Sequence, residues 1–333
     1  YEISLGLVGS EMCIRDRFDG DEILLGTNAT DEDTDDDGLN DFEEIDIYFT
    51  DAKNNDSDGD GLDDYKECKV YYTDPNVNDT DEDGLTDYEE IVGVDVPGIG
   101  IIKTDPNDND TDDDGLSDYE ECRQYGTSPL LRDTDGDGLS DSEEIKGIEI
   151  PGIGIVMCDP KDNDTDDDYL DDYDEARIYM IDPSNPDSDG DGLLDGNETY
   201  GIYIDGIGIR FTDPRDNDSD DDGLTDYYEF SVSKTDPLDP DTDNDKLDDC
   251  EEVMIYGTDP RNWDNDGDGL CDGDEILKYN TSALSNDTDS DMLSDYDEVI
   301  GVSVLGIGTR KTNPRSNDTD EDGLSDYYEV HIY

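Results

Sequence analysis

The feature that most constrains this chain is a twelve-residue acidic loop, seen at residues 79–90 as "DTDEDGLTDYEE". Acids stand at positions 1, 3, 5, 9 and 12 (Asp79, Asp81, Asp83, Asp87 and Glu90), with Gly84 at position 6 and Leu85 at position 7. Two carboxylates about 5 Å apart repel by roughly 3 kcal/mol at an effective dielectric near 20, so five in one compact loop oppose folding by on the order of tens of kcal/mol. Such a loop closes only around something positive.

The pattern occurs twelve times, each time with an acid at all five positions and Leu at position 7. Before the loop at Asp79 come Asp33, Asp35, Asp37, Asp41 and Glu44, then Asp56, Asp58, Asp60, Asp64 and Glu67. Loops 4 and 5 supply Asp110, Asp112, Asp114, Asp118 and Glu121, and Asp133, Asp135, Asp137, Asp141 and Glu144. Loops 6 and 7 supply Asp164, Asp166, Asp168, Asp172 and Glu175, and Asp187, Asp189, Asp191, Asp195 and Glu198. In loops 8 and 9 they are Asp218, Asp220, Asp222, Asp226 and Glu229, and Asp241, Asp243, Asp245, Asp249 and Glu252. Loop 10 has Asp264, Asp266, Asp268, Asp272 and Glu275; loop 11 has Asp287, Asp289, Asp291, Asp295 and Glu298. The last has Asp318, Asp320, Asp322, Asp326 and Glu329. These sixty acids are most of the 101 Asp and Glu residues, so the net charge of -81 is concentrated at fixed positions rather than spread as a solvating tract.

Acids at 1, 3, 5, 9 and 12 around a glycine at 6 are the spacing of a hard-cation loop. With Glu90 bidentate and the Leu85 carbonyl added, loop 3 offers about seven oxygens, within the range calcium takes. Magnesium demands a tighter octahedron and keeps more water. No thiol or imidazole stands at a ligand position, which disfavours zinc and copper. The expected cofactor is calcium, as multiple ions. In loops 6, 9 and 11 Tyr169, Lys246 and Met292 replace the position-6 glycine. A positive φ there would cost a side chain about 1 kcal/mol, so these are the expected weakest sites. Lys246 also adds a like charge near the ion.

Successive loops start 23 or 31 residues apart, a period that signals a repeat array. Each longer step contains Gly-Ile-Gly within 93–104, 147–158, 201–212 or 301–312, where apolar residues alternate about a turn and predict a short β-hairpin. These hairpins are expected to brace neighbouring repeats. Connectors such as "YYTDPNVND" favour turns, and "DYEEIV" after position 9 allows one helical turn. With 36% charged and 31% apolar residues the chain cannot bury ordinary cores, and without metal it should be disordered. The position-7 leucines and position-10 aromatics are expected to form small clusters between repeats. The fold class expected is a repeat array with little regular secondary structure: a calcium-stabilised elongated rod of acidic loops with single helical turns and short β-hairpins.

The pattern Asp-x-Asp-x-Asp-Gly-Leu-x-Asp-x-x-Glu, led by Asp-Pro, resembles the thrombospondin type 3 repeat of bacterial and archaeal surface proteins, over residues 18–333. An EF-hand differs: its apolar residue is at position 8 and long helices flank it. The resemblance implies a chain wound around buried ions, an extracellular or cell-surface setting, and adhesion or spacing roles with other surface proteins or glycans as partners.

Residues 1–17 stand outside the pattern, and "EMCIRDR" resembles a translated transposase-type sequencing adapter. Residues 18–32 read as a truncated repeat, with Asp19 and Glu22 at positions 9 and 12. The chain stops soon after loop 12 and reads as a fragment of a longer protein. Five cysteines remain after Cys13 is set aside, of which Cys250 and Cys271, in consecutive loops, are the expected disulfide pair if any forms.

Catalysis finds no nucleophile or phosphate-loop motif, and His331 is the only histidine. Twenty basic against 101 acidic residues oppose nucleic acid, and no apolar run in the sequence reaches membrane-spanning length. The function expected is a structural spacer or adhesion stalk of a surface protein. A soluble calcium buffer or sensor is the alternative; a sensor needs a switchable apolar groove.

Overall fold

The computed structural model describes residues 26–28 and 30–331. The segment 1–17 and the part of the truncated repeat holding Asp19 and Glu22 lie outside them. The chain divides into two compact units, one ending at Thr165 and one beginning at Asp166. Both are arrays of the same short elements, with no sheet larger than two strands among the described residues.

Each acidic loop turns at two left-handed positions rather than one. In loop 3, Glu82 at position 4 has φ 63° and Gly84 at position 6 has φ 113°. The acids themselves hold these turns. Asp79 Oδ2 accepts from the Gly84 amide at 3.0 Å, Asp81 Oδ1 from the Asp83 amide at 3.1 Å, and Asp83 Oδ1 from the Leu85 amide at 2.6 Å. Short Asp side chains compete well for nearby backbone donors, which is why Asp rather than Glu fills these positions. Position 8 then caps a helix: Thr86 is extended, and its side chain accepts from the Glu89 amide ahead of the helix Asp87–Val92.

The path of the chain beyond the cap depends on the step length. Before a 23-residue step the helix widens into a π turn, as in Glu67–Tyr71, and stops at a left-handed residue such as Tyr72. Before a 31-residue step it stays α-helical for six residues and stops at a glycine: Gly93, Gly147, Gly201 or Gly301. A hairpin begins at the next residue.

In the first unit β1 (Val94–Val96) pairs antiparallel with β2 (Gly100–Ile102), and β3 (Ile148–Ile150) with β4 (Gly154–Val156). In the second, β5 (Ile202–Ile204) pairs with β6 (Gly208–Arg210), and β7 (Val302–Val304) with β8 (Gly308–Arg310). The two strands differ in burial. Val94, Val96, Ile148, Ile150 and Ile204 are buried, whereas Ile101 and Ile155 on the return strands are 71% and 72% exposed. The expected bracing therefore rests mainly on the outgoing strand, joined by the last residue of the return strand in the first unit (Ile102 half-buried, Val156 buried), while the central residue of the return strand shows its side chain to solvent. The cause is spacing: outgoing residues of like parity face the loop, and the return strand's single outer apolar residue faces away.

The core is a series of small clusters. Val94 and Val96 pack on Leu85 and on Cys122 of the following repeat, with Ile102 and Tyr119 against them. All the position-7 leucines from Leu39 to Leu293 are buried; each contributes about 2 kcal/mol. The position-10 tyrosines do lie between repeats but stay partly exposed, as Tyr65 and Tyr227 show.

The helix-ending glycines make a test possible. At Gly93, with φ 108° and ψ 142°, a Cβ would meet Ile101 Cγ2 at 2.5 Å and the Ile102 carbonyl at 3.0 Å. At the hairpin turn, Gly98 (φ 92°) has open space around the same position. Gly93→Ala should destabilise its repeat by about 2 to 5 kcal/mol, from strain plus overlap. Gly98→Ala should cost only about 1 kcal/mol, the left-handed penalty alone. Local hydrogen exchange across residues 94–102 checks the ranking, and equal effects would refute it.

Candidate metal centres

In the first five loops the first three acids come within reach of one ion. Ligand oxygens of Asp33, Asp35 and Asp37 lie within 4.8 Å of one another, as do those of Asp79, Asp81 and Asp83 and the equivalent trios of other loops. The position-12 glutamate closes on the same group. Glu67 and Glu90 are fully buried, and the acids bearing on them include Asp58 and Asp60, and Asp81 and Asp83, respectively.

Position 9 behaves differently from the other four. Both oxygens of Asp87 are held by position 2 of its own loop: Asp87 Oδ1 accepts from the Thr80 amide at 2.9 Å and Oδ2 from the Thr80 hydroxyl at 2.7 Å. The grip recurs in other loops through Ser57, Thr111 and Ser219, and through the Asn265 amide group. The charge of this acid bears on the preceding loop as well. Asp64 acts on Asp35, Asp87 on Asp58, Asp118 on Asp81, and Asp249 on Asp220. A position-9 carboxylate thus stands between the acid trio of one loop and the backbone of the next.

Position 5 joins neighbours directly. In the first unit the position-10 amides of Tyr65, Tyr88, Tyr119 and Ser142 donate to Asp37, Asp60, Asp83 and Asp114 Oδ2 of the preceding loop at 2.7 to 3.0 Å. In the second unit Gly196, Tyr227, Cys250, Gly273, Tyr296 and Tyr327 do the same to Asp168, Asp191, Asp222, Asp245, Asp268 and Asp291. The donor is 28 residues on where the step is short and 36 where it is long, so the eight extra residues leave the bond intact.

Burial, then crowding by like charge, raises these carboxyls. Asp35 and Asp58 rise to about 6 and Asp81 to about 7. Glu67, Glu90 and Glu121 rise to about 9, with burial the leading cause in each. One oxygen of the glutamate is satisfied by the threonine of a Thr-Asp-Pro connector: Thr104 and Thr235 donate to Glu90 and Glu229 Oε1 at 2.9 and 3.0 Å. The other is not. Oε2 of Glu67, Glu90, Glu121, Glu229 and Glu298 is buried without a hydrogen-bond partner, and so is Oδ2 of Asp35, Asp58, Asp81, Asp112 and Asp220. Buried, unpaired, all-oxygen donors converging on one point fit a hard divalent cation. Such an ion would supply the opposing charge, with the acids at positions 1, 3, 5 and 12 around it.

The exceptional loops keep the same turn. Tyr169, Lys246 and Met292 have φ of 84°, 92° and 89°. The Lys246 ammonium pairs with Asp274 of the next loop, and its charge still bears on Asp245 of its own. Of the two states open to the cysteines, bridged or free and packed, the structure has the second. Cys68, Cys122, Cys158, Cys250 and Cys271 are all thiols, with no disulfide among them. Cys271 Sγ accepts from the Asp274 amide at 3.4 Å as a helix cap, while Cys250 packs toward Gly223, so each thiol faces the loop before it. Sequence reasoning missed position 2, position 4 and the connector threonine. The signals were present: position 2 is Ser, Thr or Asn in every loop, and position 4 is most often Asp, Gly or Glu.

Seven segments of the chain, residues 79–92, 110–131, 133–146, 218–240, 241–262, 264–281 and 318–332, match the family described as bacterial TSP3 repeat. Among solved structures, the chain is similar to the biofilm associated protein B domain, with 47% identity over 14% of this chain and 11% of that one, at a TM-score of 0.13. The biofilm associated protein BSP domain matches with 46% identity over 13% and 7%, also at 0.13. The chain thus spans a small part of either protein. No curated protein matches it. No helix among the described residues is long and apolar enough to cross a membrane.

Two predictions come from this geometry. Asp83→Ala removes the acceptor for the Leu85 and Tyr119 amides, bonds to a charged group worth about 1.5 to 3 kcal/mol each. The Tyr119 amide should lose protection while the Tyr88 amide, held by Asp60, keeps it; equal protection at both would refute the coupling. The second concerns pH. A carboxyl raised from 4.5 to about 9, as in Glu67, holds a proton in the metal-free fold that the unfolded chain releases. Its stabilisation is full below the unfolded value and lost as pH rises through the folded one. In chelator the chain should be more ordered at about pH 5 than at pH 9, and calcium added at about pH 7 should release protons. Calcium uptake with no proton release in weak buffer would overturn this.

Proposed function

We propose that this chain of bacterial TSP3 repeats binds calcium in its acidic loops and serves as a calcium-stiffened spacer or adhesion stalk of a larger protein at a cell surface. The proposed ligands are the acids at positions 1, 3, 5 and 12 of each loop, with the position-9 acid of the following loop beside them. One observation carries the reading: the position-5 carboxylate belongs to one loop's acid trio and also accepts the position-10 amide of the next. An ion that orders one loop therefore orders the start of its neighbour. That suits a load-bearing spacer, whose segments must not hinge independently. A site at ten times its dissociation constant adds about 1.4 kcal/mol, and a dozen such sites add roughly 17. This is the scale of a whole domain's stability.

Circular dichroism and small-angle scattering in chelator and in millimolar calcium test the proposal. The expected result is an expanded chain in chelator and a stiffer one with calcium. Calcium binding with no change in scattering would leave a soluble buffer as the reading instead.

A further inference from the structure

The acidic loops meet their neighbours through two residues not used as ligands: position 6 of one loop and position 10 of the next. In five pairs a glycine at position 6 lies under a tyrosine ring at position 10, and in two more it lies under the smaller Ser142 or Cys250. A Cβ built on Gly38, Gly84 or Gly269 would stand 3.2 to 3.3 Å from the ring of Tyr65, Tyr119 or Tyr296. Two pairs in the second unit reverse this. Tyr169 is followed by Gly196 and Lys246 by Gly273, and these are the only position-10 glycines in the twelve loops. There the backbones themselves are in contact. A Cβ on Gly196 would lie 2.4 Å from the Asp168 carbonyl, and one on Gly273 would lie 2.3 Å from the Asp245 carbonyl.

We infer that these reversed pairs are private interfaces: the faces of loops 6 and 9 accept only a following loop with glycine at position 10. Each such glycine sits in a helix, where it is a poor choice alone, and each large partner sits at positive φ, also a poor choice alone. The two unfavourable choices coincide because one large residue fits per interface. The remaining substituted loop differs in kind. Met292 is followed at position 10 by Tyr327, whose ring is stacked on His331 at 4.5 Å, and the methionine side chain itself is largely in solvent. In an array of otherwise interchangeable repeats, the private pairs give loops 6–7 and 9–10 a register that no other pairing satisfies. Backbone approach sets this preference, whichever cation the loops bind.

A double-mutant cycle in the full chain, with calcium present, tests it. The readout is exchange of the amide of residue 273, which donates to Asp245 Oδ2 at 2.8 Å. Gly273→Tyr should speed that exchange by about tenfold or more. Lys246→Gly with Gly273→Tyr recreates the common pair and should return it to within about threefold of the parent. The Tyr227 amide, bonded to Asp191, reports whether the rest of the unit stays folded. Should Gly273→Tyr leave exchange unchanged, or should the double variant exchange as fast as the single, the inference is overturned. Gly196→Tyr with Tyr169→Gly gives a second, separate cycle with the same expected rescue.

Discussion

Mutual repulsion among buried carboxylates is the constraint on which everything else in this molecule depends. Each loop places its acids at fixed positions, and the acids at positions 1, 3 and 5 accept from the backbone amides that keep the others close. Asp79, Asp81 and Asp83 bind amides within their own loop, while Asp83 Oδ2 reaches Tyr119 of the next. The acids are thus both the source of the repulsion and the scaffold that concentrates it. A fold built this way cannot be stable by hydrogen bonds alone, because buried like charges outweigh the roughly 1 to 3 kcal/mol that each bond returns.

The two step lengths show what such an array must preserve and what it can change. The position-10 amide finds the same carboxylate whether 28 or 36 residues intervene. The choice is made at the helix end. A π turn closed by Tyr72 returns the chain at once, whereas Gly93 turns it outward into β1 and β2. The hairpin then packs Val94 and Val96 onto Leu85 and Cys122 and adds apolar burial. On its return strand Ile102 joins that cluster, and Ile101 points to solvent.

Much of this was legible in the sequence. Repeat period, the loop positions, the hairpin sites and the buried leucines all follow from residue spacing, because each is local. The position-9 acid was readable as a candidate ligand, but its place beside the preceding loop was not, since that depends on how consecutive loops stack. The same holds for Lys246, which by sequence stands next to its own acids and in three dimensions reaches Asp274. Cys250 and Cys271 were the first choice for a pair, if any formed, for a similar reason. They are near in sequence, but each thiol faces the loop before it, so sequence proximity does not bring them together.

Nearest-neighbour contacts make the energetics of each unit close to one-dimensional: stability is a sum of loop terms and interface terms. In such a system the weak point is a slip in which one loop docks against the wrong neighbour, because identical interfaces offer no penalty for it. A tyrosine at position 10 is accommodated over a position-6 glycine, and common pairs such as Gly61 with Tyr88 and Gly192 with Tyr227 have the same 3.4 Å approach. Variation at the ligand positions would fix register only by weakening ion binding. Variation at positions 6 and 10 can fix it without altering a single acid, and that is where Tyr169, Gly196, Lys246 and Gly273 depart from the repeat.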